Sequence, residues 1–391
     1  MTGDGRSSAS TLQQGEAPHH QPGNFEKTQQ NANDKWGPGG RQSLEPASPT
    51  VRNEDQEDPP HENVGSVAPS ASSTANPPPL VKSVYPLLET CSLLTFATIW
   101  GVLARLGLIW IGGFGEREVF PLIWAQMAGC AVMGLVTDRK KGLERIFPPL
   151  FPMGGTGFCG ALTTWSSMSL DVFVAFANIE QPAGTSRFAG FFSGFAVTLI
   201  TIAGSMTALQ FGVHLSSFLP HAQLPSHPLR GQSTFSAISL LVGPLFWLGS
   251  LFLLVFGPSD WRSRATFAIV LGPFGTLLRY FFSRTLNPLR PSFPLGTLAA
   301  NTLAVLVLAI AQLLARHPRS QLGCAALKGV QDGFCGSLST ISTLAVELRG
   351  LKRGHSYRYF GVSWVFSQIL LVVILGSWEW SEDRGAVCWE R

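Results

Sequence analysis

The chain has 391 residues, 45% of them hydrophobic and 13% charged, with 28 Lys and Arg against 24 Asp and Glu and a net charge of +4. Soluble domains carry roughly 25% charged residues, so this composition argues against an ordinary water-soluble protein. The small positive balance comes with no basic stripe interleaved with aromatics, which removes the usual footprint of nucleic-acid binding.

Residues 1–80 are rich in Gln, Asn, Ser, Pro and Gly and hold few large apolar side chains. Such a segment cannot offset its ordering entropy by burial, and it lacks the apolar core of a signal peptide. It is expected to be a disordered cytosolic tail. From Leu80 onward, apolar runs follow one another, each about long enough to cross roughly 30 Å of hydrocarbon as a helix. Nine spans are expected, at 86–112, 119–137, 150–172, 187–213, 235–256, 265–285, 293–315, 326–348 and 358–378. Stretches such as LAANTLAVLVLAIAQLLA leave almost no polar face, which excludes a soluble helical bundle. The fold class expected is an all-α membrane protein.

The spans repeat. GFCGALTTWSSMSLD from Gly157 returns as GFCGSLSTISTLAVE from Gly333, GVLAR (Gly101 to Arg105) as GTLLR (Gly275 to Arg279), and FPLIWAQMAG from Phe120 as FPLGTLAANT from Phe293. Two four-helix repeats are therefore expected, at 84–213 and 265–378, with an unmatched linker helix at 235–256 and a short C-terminal tail at 379–391. Four crossings per repeat is an even number, so the single extra helix inverts the second repeat relative to the first. This is the arithmetic of an inverted-topology repeat, with its functional site near the bilayer midplane.

Loop charge gives the orientation. Arg139, Lys140, Lys141, Arg145, Arg230, Arg284, Arg290, Arg349, Lys352, Arg353 and Arg358 fall on the tail side, against Arg117, Arg187, Arg262, Arg264, Arg316, Arg319 and Lys328 opposite. The excess favours a cytosolic tail and an exterior C-terminus.

A Gly-x-x-Gly pair followed by consecutive hydroxyl residues weakens the helix and gives freed backbone groups local partners, so the third helix of each repeat is expected to break. Irregular backbone at membrane depth survives only inside protein or beside a polar cavity, so the two breaks should meet near the centre. Their converging carbonyls would suit a small hard cation; tight crossing of small residues is the alternative reading. Thr297 and Asn301 stand four apart on one helix, and Tyr359, Ser363 and Ser367 step by four on another. These two polar stripes suit either an anion stripped of water or simple interhelical hydrogen bonding. The first repeat has Leu122, Gln126, Ala189, Ser193 and Val197 at the matching positions, so only the second keeps a full track.

Taken together, the two GFCG segments with their L-[ST]-T continuations, GTLAAN, the paired Gly-x-x-x-Arg and YFGVSWVFS resemble the Fluc/CrcB fluoride channels, in their eukaryotic-type two-domain form. The resemblance spans about 90–378 and implies a passive fluoride exporter of the plasma membrane, built from one chain, with two pores flanking a structural Na⁺. It assigns the Na⁺ to backbone carbonyls of Gly160, Thr163, Gly336 and Ser339. It assigns the anion path to Thr297, Asn301, Tyr359, Ser363 and Ser367, with Gln126 and Ser193 as first-repeat counterparts. Arg105 and Arg279 are expected near helix ends, drawing anions towards vestibules or snorkelling to the interface.

The family's third helix carries two Phe residues whose electropositive ring edges face the anion. Here those positions are Trp165 and Met168 in one repeat and Ile341 and Leu344 in the other. One working pore, served by the second repeat's track, is expected, with a non-conducting divergent relative of the family as the alternative. A proton-coupled exporter would need a paired membrane carboxylate, but Ser263 stands opposite Glu89 in the repeat alignment. No HExxH, Walker or nucleophile–base spacing points to an enzyme. The six cysteines show no zinc or disulfide spacing, and Cys159 and Cys335 read as small apolar fillers.

Overall fold

A computed structural model describes residues 79–113, 120–179, 186–218, 233–317, 320–380 and 387–389. Residues 1–78 of the expected tail and the loop residues Arg117, Arg230 and Arg319 lie outside the described residues. Among the described residues the chain is helical, with no strand. Nine principal helices order the fold: α1 (Pro79–Ile111), α2 (Leu122–Asp138), α3 (Trp165–Phe176), α4 (Arg187–Phe218), α5 (Ser233–Phe256), α6 (Phe267–Leu286), α7 (Leu295–Ala315), α8 (Ser342–Gly350) and α9 (Arg353–Leu371). Six of them, α1, α4, α5, α6, α7 and α9 with its continuation to Glu379, are long and apolar enough to cross a membrane, and α2 is a shorter apolar helix.

The remaining two expected spans are interrupted rods. In the first, helix runs over 150–162, passing through a wide π-helical turn at Met153–Cys159, and α3 resumes at Trp165. In the second, Gln321–Gly329 passes through a π-turn at Val330–Cys335 to Leu338, and α8 resumes at Ser342. Thr163 (φ −99°, ψ 147°) and Ser339 (φ −86°, ψ 158°) are extended at equivalent points, so the breaks fall where the hydroxyl runs place them.

The halves of each rod serve different neighbours. Beyond the break, α3 packs on its own α4 and also on α7 and α9 of the second repeat. Its counterpart α8 packs on α9 and also on α2 and α4 of the first. The two repeats thus exchange the far halves of their broken rods, and the largest buried cluster draws on both: Trp165, Met168, Val172 and Leu209 from one, Val305, Ile341, Leu344 and Tyr359 from the other.

Backbone proximity sets the remaining packing. A Cβ at Gly134 would fall 2.1 Å from the Leu209 carbonyl oxygen, and one at Gly212 would fall 1.8 Å from that of Ala131, so α2 and α4 cross at a distance only glycine permits. The linker α5 lies along α1, with the Gly243 N–H donating to Ser92 Oγ (3.0 Å), and reaches α6 through Trp247 Nε1, which donates to the Val270 carbonyl (3.0 Å). Glu89, buried rather than interfacial, accepts from the Ser236 hydroxyl across the same α1–α5 seam. Large apolar side chains such as Phe188, Phe252 and Val373 are exposed around the periphery, as suits surfaces meeting lipid rather than water.

Candidate functional site

At the centre the two breaks meet through reciprocal contacts. Thr163 Oγ1 accepts from the Ser342 N–H (3.0 Å), and its counterpart Ser339 Oγ accepts from the Ser166 N–H (3.0 Å). Thr163 Oγ1 lies 3.2 Å from Thr340 Oγ1, and Thr164 Oγ1 lies 3.0 Å from Ser339 Oγ. Every member of this cluster is buried, which is tolerable only because the hydroxyls take up the backbone groups that the breaks release.

Gln126 and Asn301 complete the same task. Gln126 accepts from the Thr164 N–H (3.1 Å) and donates to the Thr164 carbonyl (2.7 Å). Asn301 accepts from the Thr340 N–H (2.9 Å) and donates to the Thr340 carbonyl (3.3 Å). Each side-chain amide therefore stands in for one strand partner of its own repeat's break. In a continuous helix the Thr164 and Thr340 amides would close onto the carbonyls of Gly160 and Gly336; here they are diverted to Gln126 and Asn301.

The arginines are not where loop-end reasoning places them. Arg105 and Arg279 are 2% and 1% exposed, at the middle of the molecule. Arg105 donates to the Ala161 carbonyl of its own repeat (2.7 Å) and to the Asp332 carbonyl of the other. Arg279 donates to the Ser337 carbonyl of its own (2.9 Å) and the Thr156 carbonyl of the other (2.8 Å). Each guanidinium comes up against a glycine of the opposite repeat, leaving no room for a side chain there: a Cβ at Gly160 would sit 2.2 Å from Arg279 Nη1, and one at Gly336 2.5 Å from Arg105 Nη1. Neither vestibule attraction nor snorkelling describes them. Their forked donors staple the two rods together across the pseudo-two-fold, because the π-turns leave carbonyls pointing off the helix axis.

The second repeat's stripes come together as one track. Thr297 on α7 donates to Glu347 Oε1 (2.6 Å), and the Tyr359 hydroxyl on α9 donates to Glu347 Oε2 (2.9 Å). Asn287 Nδ2 donates to the same carboxylate (3.3 Å) while its Oδ1 accepts from the Gly296 N–H (2.7 Å). Further along α9, Ser363 and Ser367 each donate to the carbonyl one turn back, at 2.8 Å. Ser367 Oγ then accepts from Trp165 Nε1 (2.8 Å), a contact between repeats. Trp165 stands edge-on to Phe360 with ring centroids 6.0 Å apart, and Phe293 meets Tyr359 in the same way at 5.2 Å. Trp165 of the first repeat therefore faces the second repeat's track, and Met168, one turn on, lies in the same buried cluster as Trp165 and Tyr359.

Ile341 and Leu344 are carried by α8 towards α2 and α4. There the matching stripe is apolar at Leu122 and Val197, Gln126 is bonded to its break just as Asn301 is to its own, and Ser193 is half-buried on α4. Trp165, Met168, Ile341 and Leu344 are all fully buried. Among the described residues no group of His, Cys, Asp or Glu could hold a metal ion.

Two residues of this site escape a search for polar stripes. Glu347 closes the second duplicated string and aligns with Asp171 at the end of the first, so the pair of acidic termini is the signal that could have found it. Gln368, one residue beyond the α9 stripe, donates to the Ser169 carbonyl of the first repeat (3.1 Å) and breaks the four-residue step, which leaves no periodic trace.

Comparison with known proteins gives the lineage. The family model described as CrcB-like protein, Camphor Resistance (CrcB) matches twice, at 92–213 and 266–377, once on each side of α5. Fluoride export protein 1 of Neurospora crassa is 34% identical over 360 residues, covering 77% of this chain and 68% of that one. The Candida albicans protein of the same name is 34% identical over 309 residues, covering 72% and 78%. The fluoride-specific ion channel FluC of Chromobacterium violaceum is 35% identical over 125 residues, which are 97% of it and 31% of this chain. No solved structure matches. With both copies of the family model lying on the two halves that meet at the paired breaks, the chain belongs to the CrcB-like family.

Proposed function

We propose that this protein is a passive, fluoride-selective channel that lowers cytosolic fluoride, conducting through one pore. The pore is lined by Thr297, Asn301, Tyr359, Ser363 and Ser367 of the second repeat and closed on the facing side by Trp165 and Met168 of the first. The observation that carries this reading is the Trp165 Nε1 to Ser367 Oγ contact, which joins an aromatic donor of one repeat to the hydroxyl track of the other. The names of the relatives, fluoride export proteins and a fluoride-specific ion channel, support the choice of ion.

The chemistry follows from the donors. Fluoride gives up its hydration only to groups that replace it, and hydroxyl, indole and amide N–H groups along a buried track do so without a cation. Glu347 accepts hydrogen bonds from the Thr297 and Tyr359 hydroxyls, which fixes these donors at that end of the track, and an arriving anion competes with the carboxylate for them. The first repeat's path offers Leu122, Val197, Ile341 and Leu344 at the corresponding places, which solvate no anion. Uncharged HF enters cells and dissociates in neutral cytosol; an interior-negative potential then drives fluoride out through a passive pore. No ATP or proton coupling is needed. The expected setting is the plasma membrane, with a cytosolic N-terminal tail, an exterior C-terminus and a single chain as the working unit.

The centre fits a structural Na⁺. The carbonyls of Gly160, Thr163, Gly336 and Ser339 are neutral hard oxygens beside extended backbone, and the amides that would occupy two of them are diverted to Gln126 and Asn301. Arg105 and Arg279 bond other carbonyls, those of Ala161, Asp332, Ser337 and Thr156. A bound Na⁺ would be held by these carbonyl oxygens and would supply positive charge to them.

The test is efflux from liposomes holding the purified full chain, read by a fluoride electrode under valinomycin and a potassium gradient beside a chloride control. Fluoride release without chloride release is expected. The full burial of all four positions that the family fills with its Phe pairs favours one rival, a non-conducting relative, and no release from well-folded protein would establish it.

A further inference from the structure

Sequence spacing pairs none of the six cysteines, yet Cys324 and Cys388 are joined by a disulfide across 64 residues, while Cys91, Cys130, Cys159 and Cys335 are free. The bond is the centre of a larger fastening. The Cys388 N–H donates to the carbonyl of Ala315, the last residue of α7 (3.0 Å), and Val387 is 4% exposed. Arg316, just past that helix end, pairs with Glu379 at the end of the α9 continuation, both side chains being almost wholly buried. The His317 and Trp378 rings meet at 5.1 Å, and Lys328 lies 5.5 Å from the Trp389 ring. Described residues 387–389 are thus held against the end of α7 and the start of the second broken rod, while Arg316 and His317 join that end of α7 to the end of the α9 continuation.

The position of this fastening across the fold is fixed by α7. Its 21 residues span about 32 Å at 1.5 Å each, so Ala315 stands roughly a bilayer's thickness from Leu295. Beyond the Leu295 end lie Arg284 and Arg290, part of the basic excess, and near it start α9 and its basic residues Arg353 and Arg358. Disulfides persist in oxidising compartments and are rare in the cytosol. Charge and redox chemistry, which are independent, therefore give the two ends of α7 the same orientation.

We infer that the Cys324–Cys388 bond is an exterior covalent clamp. It forms in the secretory lumen and ties the segment beyond α9, the helix that carries Tyr359, Ser363 and Ser367, to the start of the second broken rod, beside the end of α7, which carries Thr297 and Asn301. In its formation the two thiols lose two protons and two electrons, and a disulfide of a lumenal oxidoreductase accepts them and leaves as a dithiol. This deepens the localisation stated under the proposed function and rests on that orientation, but not on conduction.

The test counts reactive thiols with a membrane-impermeant polymer maleimide on the full chain in cells, read as gel shifts. Denatured without reductant, the protein is expected to take four adducts; six would show that no disulfide forms and overturn the proposal. In intact cells, no shift from these two cysteines is expected until a charged, impermeant phosphine is added, which takes up the oxygen of water as phosphine oxide and releases both thiols. Two adducts should then appear. Adducts that need permeabilisation would place the clamp in the cytosol and overturn it, and Cys324→Ser should expose Cys388 to one adduct without reductant. Reduction should also lower the temperature at which the purified protein loses its monodisperse elution peak, with no such drop in the Cys324→Ser/Cys388→Ser variant. An unchanged temperature in the wild type would overturn the clamping role. None of these readouts uses fluoride flux, so a non-conducting protein would leave the inference standing.

Discussion

At Trp165 the indole presents a ring edge and donates its N–H to Ser367, and substitution separates the two roles. Trp165→Phe keeps an edge and loses one hydrogen bond, so liposome flux should stay within about tenfold of wild type, whereas Trp165→Ala should abolish it. Glu347 is the second residue to test, because its two oxygens hold the Thr297 and Tyr359 protons. Glu347→Gln leaves one acceptor oxygen for the three donors Thr297, Tyr359 and Asn287, so a hydroxyl turns away and flux should fall about tenfold, the worth of one net hydrogen bond. Asn301 and Gln126 occupy matching positions in the two repeats. Both also hold the backbone of their own break, so each alanine substitution removes support for a buried amide as well as any role in conduction. Polar stripes were legible because their period is local. The acceptor that gathers the Thr297 and Tyr359 protons was not, since Glu347 sits on a third helix and meets them only after the rods fold back.

Among the elements, the broken rods carry most of the site, and two arginines hold them. Each guanidinium binds one carbonyl from each repeat, so Arg105→Met and Arg279→Met should each orphan two buried carbonyls and cost about 2–5 kcal/mol. The measurement is thermal loss of the monodisperse peak in detergent, and the two variants should fall by similar amounts. A vestibule role would instead leave stability intact and change only flux. The breaks themselves could be read from Gly-x-x-Gly and the hydroxyl run, because both act within one turn of helix. The π-turns before them could not: they widen the helix where the arginine of the opposite repeat enters, and that arginine lies more than a hundred residues away in sequence.

For the whole molecule, if two repeats and the linker α5 suffice as one working unit, as proposed, purified protein should elute and crosslink as a single chain. If the four central carbonyls hold Na⁺, replacing Na⁺ by a bulky organic cation should lower the melting temperature while Li⁺ or K⁺ rescues less than Na⁺, a readout that needs no flux. The helical, membrane-spanning class and the duplication on either side of α5 were legible in composition and order. These properties are additive along the chain: hydrophobic length selects spans and parity selects orientation. Which box faces which track depended on how the rods cross, as did the burial of Arg105 and Arg279 and the pairing of Cys324 with Cys388. Those contacts join residues tens to hundreds of positions apart, and no period or spacing in a one-dimensional string encodes a distance that only packing brings about.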